Sequence, residues 1–214
     1  MRLKYWFYSS LTTFWAVLAA SGIYGGILFL QRPGLTWEGL LFTLPVYLLL
    51  FGGLVMMALN AGFYKLQLPL ALSFGSTRNE AILGMQIQRF LPAALIVALT
   101  IVLTTVAKDY SMVPAAAVAP LGFGLFLGFS ALGGIAGMVM IRFGKIGLAV
   151  TVASGLVVGM GAGLIAGMTI GSGFIGAFFE NVGLHWLIFC IGVLLYAIVM
   201  IPEQRLIWKY NVKL

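Results

Sequence analysis

The amino-acid sequence predicts an all-α polytopic membrane protein with six transmembrane helices and both termini in the cytoplasm. Three observations carry this expectation. Of the 214 residues, 62% are hydrophobic and 8% charged, whereas an average soluble domain is about 45–50% apolar and about 25% charged. The apolar residues fall in continuous charge-free blocks, and about 20 helical residues suffice to cross a hydrocarbon core; alternating segments of about 10 residues would mark a membrane barrel instead. The basic residues gather on one side of the resulting topology. Too few charges remain to cover a water-soluble globule, so the composition excludes a soluble enzyme, a disordered chain and a nucleic-acid-binding domain despite a net charge of +7.

The spans follow in order. The first lies near 11–30, the second near 39–60, the third near 90–107, the fourth near 114–140, the fifth near 146–170 and the sixth near 186–202. Residues 1–214 read as a single transmembrane domain. With the N-terminus inside, Arg2, Lys4, Lys65, Arg78, Arg89, Arg142, Lys145, Arg205, Lys209 and Lys213 fall on the cytoplasmic side, and Arg32 and Lys108 outside. Ten against two is the bias expected of cytoplasmic loops, and it draws the inner face toward anionic membrane lipid. The first apolar stretch exceeds the 7–15 residues of a signal-peptide core and is expected to be a retained span. Ahead of it, Tyr5, Trp6, Phe7 and Tyr8 beside Arg2 and Lys4 suit an N-terminal interfacial helix, or equally an aromatic belt at a span end.

Several kinds of chemistry are missing. No predicted span interior holds Asp, Glu, Lys or Arg; such residues usually mark proton relays and ion paths, so a proton-coupled carrier or charged pore is disfavoured. A sodium-coupled carrier, which can use backbone carbonyls, is not. His185, the one histidine, is expected at the outer interface beside Trp186. A phosphate-binding loop needs a Gly five residues before Gly-Lys and a Ser or Thr after it; Gly144-Lys145 is preceded there by Val139 and followed by Ile146. Cys190 is the one cysteine, which excludes an internal disulfide. The chain shows no catalytic pair, no metal-ligand cluster and no cofactor site, so it is not expected to be an enzyme.

Two stretches carry more. The cytoplasmic segment 61–89 is rich in Leu, Phe and Ile, more than a simple linker needs. Within it, Thr77 and Glu80 form a capping box, after a turn supplied by Ser73, Gly75 and Ser76. A helix should begin near Thr77, present Ala81, Ile82, Met85 and Gln86 on one side, and run into the third span with a kink near Pro92. Pro69 should break the preceding segment, giving a helix–turn–helix at the inner surface with Arg78 at the turn. The plain alternative is an interfacial linker packed on lipid.

The run LPLALSFGSTRNEAILGMQIQRF, residues 68–90, resembles a segment of small permease subunits of bacterial ATP-binding cassette transporters of the ABC type-two family. The resemblance covers about a tenth of the chain. It implies six spans, both ends inside, an N-terminal interfacial helix and a cytoplasmic coupling helix between spans two and three. It further implies that Phe74, Gly75, Ser76, Thr77, Arg78 and Glu80 contact a separate ABC ATPase subunit, which would hold the ATP and Mg. Asn79 stands where the family often has a second basic residue.

The second stretch is the fifth span, where Gly155, Gly159, Gly163, Gly167 and Gly171 recur every fourth residue. That spacing aligns them on one helical face and suits close helix contacts. Shorter versions occur at Gly124 and Gly128, Gly133 and Gly137, and Gly22 and Gly26. They serve either packing within the chain or a subunit interface or substrate path. The charge-free run 146–179 exceeds one untilted span, so 171–184 is read as a re-entrant outer hairpin, of the kind the family resemblance implies, or as part of a long tilted helix. Arg205, Lys209 and Lys213 form a basic stripe extending the sixth span into the inner interface.

Together these features suggest a half-permease of the bacterial plasma membrane. It would pair with a second permease copy, contact membrane lipids and export an apolar or amphipathic substrate such as a lipid, hydrophobic peptide or lipophilic toxin. A gradient-driven carrier and a non-transporting scaffold or immunity protein are the alternatives.

Overall fold

The computed structural model describes residues 2–31, 37–106, 115–169 and 181–209. These are helical almost throughout: α1 (Arg2–Gln31), α2 (Trp37–Gly62), a π-helical turn (Phe63–Gln67), α3 (Leu68–Ser73), α4 (Arg78–Val106), α5 (Ala115–Thr169) and α6 (Val182–Lys209). Four stretches are long and apolar enough to cross a membrane: Leu44–Ser73, Arg78–Val106, Ala116–Gly147 and Gly183–Lys209. They are what the composition requires of a membrane protein.

Several boundaries differ from expectation, each for a local reason. The aromatic start of the chain is not a separate interfacial helix. Residues 2–31 form one helix, held because Trp6 is fully buried against Phe63, with ring centroids 5.7 Å apart. Tyr5, Phe7 and Tyr8 face outward. Nor does Pro69 end the preceding segment. Its missing amide would leave the Lys65 carbonyl without its helical donor, and the chain answers by widening one turn. The Leu68 amide then donates to the Phe63 carbonyl, five residues back, and Pro69 enters the first turn of α3. The segment between the second and third spans is therefore mostly helix. α4 runs through Pro92 without interruption.

α5 contains the expected fourth and fifth spans as two arms that meet at Gly144 (φ 56°, ψ −123°). Only glycine adopts that backbone at no steric cost. The helix of the expected sixth span begins earlier than 186: the Leu184 amide donates to the Asn181 carbonyl and side chain, 3.0 and 3.2 Å, which caps α6 and makes 182–184 part of its first turn. Residues 170–180, the bulk of the expected hairpin, lie outside the described residues. His185 is buried against the rest of the chain, while its neighbour Trp186 is exposed.

Lipid is as apolar as leucine, so helices in a membrane associate through close packing and polar contacts. α5 does this with glycine. A Cβ on Gly124 would stand 2.7 Å from the Phe189 backbone, and one on Gly192 would strike the Gly124 carbonyl. On another side of α5, a Cβ on Gly133 would strike the Met57 carbonyl, and one on Gly137 would lie 2.9 Å from the Ala61 carbonyl. These two glycine pairs thus pack within the chain, against α6 and α2. Around Gly22 and Gly26 nothing in the chain approaches within 4 Å. Gly155, Gly159, Gly163 and Gly167 lie on the second arm of α5; what packs on them, and Gly171 itself, lie outside the described residues.

Two apolar clusters fill the bundle. One joins α1, α2, α4 and α5 through Val17, Leu48, Met56, Ile96, Leu121 and Phe126. The other gathers Trp6, Phe63, Tyr64, Leu68, Ala81, Met85 and Ile207 where α3 meets the start of α4. Gly192→Val should lower stability by about 1–3 kcal/mol or more, as overpacking does, whereas Gly22→Ala should leave it unchanged or raised. Thermal unfolding in mild detergent measures both.

Candidate functional site

Two structures built from neighbouring sequence form the site: a capped turn at 74–77 and a buried polar junction one helix segment away.

The turn is closed by hydrogen bonds at both ends. α3 ends in a Schellman motif: the Gly75 amide donates to the Leu72 carbonyl and the Ser76 amide to the Ala71 carbonyl, both at 3.0 Å. That geometry puts the residue after the C-cap in the left-handed region, and Gly75 has φ 79°. α4 opens with the reciprocal capping box. The Thr77 amide donates to Glu80 Oε2 at 2.7 Å, and the Glu80 amide to Thr77 Oγ1 at 3.2 Å. Four residues therefore join two helices, and the Ala71 and Leu72 carbonyls and the Glu80 amide, groups that helix ends orphan, have partners.

The structure brings Phe74, Gly75, Ser76, Thr77, Arg78 and Glu80 together at this turn. Phe74 projects outward, 75% exposed, in line with exposed Leu70 and Leu66 at four-residue spacing. Behind the turn, Ala81 and Met85 are buried as the helical spacing requires. A Cβ on Gly84 would run into the Trp6 indole, so α1 sits directly on the first turns of α4.

The junction buries two charges inside the helix bundle. Arg89 and Glu203, each placed by sequence just beyond a span end, are 1% and 0% exposed and face each other. Arg89 Nη1 and Nη2 donate to the two Glu203 carboxylate oxygens, both at 2.7 Å, and Nε donates to Asn60 Oδ1 at 2.7 Å. Asn60 is itself held by donating to the Met56 carbonyl at 2.7 Å. The Arg89 guanidinium lies 5.5 Å from the Tyr196 ring centroid, and the Tyr196 hydroxyl donates to Gln86 Oε1. Tyr64, also buried, adjoins both charges. Glu203 reaches this place because Gly134 has no side chain: a Cβ there would overlap its carboxylate. Helices α2, α4, α5 and α6 thus converge on one ion pair.

Asn60, Gly134 and Tyr196 were not singled out by sequence reasoning, and Arg89 was read as a loop charge. A signal existed. From Ala81, steps of four pass through Met85, Arg89, Ala93 and Val97, all buried. On α6, Tyr196, Val199, Glu203 and Ile207 are likewise buried at steps of three or four. Each charge sits on the inward stripe of its helix.

Among the described residues no group of three or more His, Cys, Asp or Glu is placed to hold a metal ion. Comparison with known protein families, characterised proteins and solved structures finds no match.

Removing one partner of a buried ion pair strands the other, at about 3–5 kcal/mol, whereas replacing both by apolar residues is often near neutral. Glu203→Ala should therefore be strongly destabilising and Arg89→Met with Glu203→Leu far less so, as read by denaturant unfolding in micelles. Gly75→Ala should cost about 1 kcal/mol for its left-handed backbone in the same measurement.

Proposed function

We propose that the chain is the transmembrane permease subunit of an ATP-binding cassette transporter of the type-two family. In this reading it has six spans with both termini in the cytoplasm. It works as a homo- or heterodimer in a bacterial plasma membrane, and a separate ATPase subunit holding ATP and Mg drives it. The observation that carries the reading is the capped turn at 74–77. It is a helix–turn–helix between two long apolar helices, closed by hydrogen bonds, with Leu66, Leu70 and Phe74 exposed along one face. A linker that merely joined two spans needs neither the closure nor the outward Phe. A docking element needs both, because a load applied to it must move helices and not a loop. The apolar composition of the helices favours an apolar or amphipathic cargo, and export follows from the family resemblance.

A gradient-driven carrier is the second reading, and one observation favours it. The buried Arg89–Glu203 pair supplies the intramembrane ionisable groups that such carriers use. Purification in mild detergent, with mass spectrometry of co-eluting proteins, separates the two. The permease reading expects a stoichiometric partner bearing a phosphate-binding loop; a single species, even after crosslinking, supports the carrier.

If the partner is present, Gly75→Pro, Arg78→Ala and Glu80→Ala should lower permease-dependent ATP hydrolysis in liposomes while the protein still inserts. Full hydrolysis in all three variants would remove the coupling role of the turn. Gly163→Leu should impair dimer assembly or transport, and an unchanged, active dimer would remove the glycine face from the interface.

A further inference from the structure

The ion pair lies where it links the turn to the last helix. From Thr77 to Arg89, α4 runs without an irregular turn for about 18 Å at 1.5 Å per residue. α6 packs mainly on α5, and its contact with α4 is short. That short contact includes Ile207, buried in one cluster with Ala81 and Met85, and a set of polar groups. Glu203 accepts two hydrogen bonds from Arg89, and Tyr196 donates to Gln86, three residues before Arg89. The Tyr196 ring also covers the guanidinium and meets Phe90 edge-on, with ring centroids 5.6 Å apart.

A bidentate Arg–carboxylate pair fixes direction as well as distance. Sliding α6 against α4 would break two hydrogen bonds together and separate two charges shut off from solvent, whereas an apolar contact would let the helices slip with little change in energy. From this we infer that the Arg89–Glu203 pair, braced by Gln86 and Tyr196, is the tie that makes α6 follow α4 when the turn at 74–77 is displaced. The inference rests on the permease reading for the source of the displacement. It assigns Arg89 and Glu203 as positioning residues that act through the helices they join.

The test uses the full chain, with any co-purifying ATPase, in lipid nanodiscs. Cys190 is replaced by Ser, and spin labels are placed at Val102→Cys on α4 and Ile198→Cys on α6, both exposed positions. The distance between the labels should be narrow and the same with and without vanadate-trapped ATP. The variant Arg89→Met with Glu203→Leu should lower the unfolding midpoint far less than Glu203→Ala does. Its label distance should broaden, and permease-dependent ATP hydrolysis should fall about fivefold or more, within the range of allosteric couplings. Arg89→Lys, which keeps the charge without the fork, should fall between the two.

A wild-type distance that shifts with nucleotide overturns the tie, as does an apolar variant with unchanged distance and hydrolysis. If no ATPase accompanies the chain, the permease reading fails by itself. The tie is then decided by the label distributions of the chain alone, where equal widths in wild type and apolar variant overturn it.

Discussion

The rest of the structure depends on keeping one arginine and one carboxylate together away from water. A buried charge without a partner is costly enough that the surroundings must be arranged to supply one. Here the arrangement recruits four helices. α4 brings Arg89 and α6 brings Glu203. α2 supplies Asn60, which accepts the Nε hydrogen and is itself anchored to the Met56 carbonyl. α5 contributes an absence, the missing side chain of Gly134, into which the carboxylate fits. None of these four helices can rotate appreciably about its axis without losing its part.

Glycine packing and the ion pair are therefore one construction. Gly133, Gly134 and Gly137 occupy about one turn of α5. The outer two of the three bring α5 against the backbone of α2 near Met57 and Ala61, and the middle one admits Glu203. Further along, Gly124 and Gly192 let α5 and α6 meet backbone to backbone. Between lipid-solvated helices the gain from apolar burial is small. Contacts at backbone distance and a satisfied polar junction supply what a soluble core would obtain from excluding water. The outward faces need no such care, and Trp15, Ile23, Leu194 and Ile198 stand exposed on them.

Much of this was legible in the sequence, where the signal was local. The apolar blocks named the helices. Thr77 and Glu80, three residues apart, named the start of α4, and Gly75 named the end of the helix before it. What could not be read was pairing at a distance. Arg89 and Glu203 are 114 residues apart, and each lies near a basic or polar flank that makes it look like a loop charge. A rule that counts Lys and Arg to orient spans treats every charge as solvated, so it moved the span ends to exclude them. The helical spacing of buried neighbours held the contrary information, but it is read only once α4 is known to continue unbroken from Thr77. The π-helical turn is a similar case: Pro69 signals a lost hydrogen bond, yet whether the chain breaks or widens depends on Phe63 and Tyr64 finding a buried place beside Trp6.

The two ends of the helical hairpin differ in stiffness, and this decides where a force on the turn goes. Toward α4 the path is regular: the capping box closes the first turn, and each later turn repeats the same hydrogen-bond pattern up to Arg89. Toward α2 the path crosses five residues of π-helix, whose wider ring spacing is a common site of bending in helices. Under a load on the turn the more compliant connection bends and the stiffer one transmits it, so in the permease reading the π-turn would yield and α4 would move as a body. Arg89 lies on that body and Glu203 on the next. The chain has placed its least deformable polar contact at the far end of its least deformable connection.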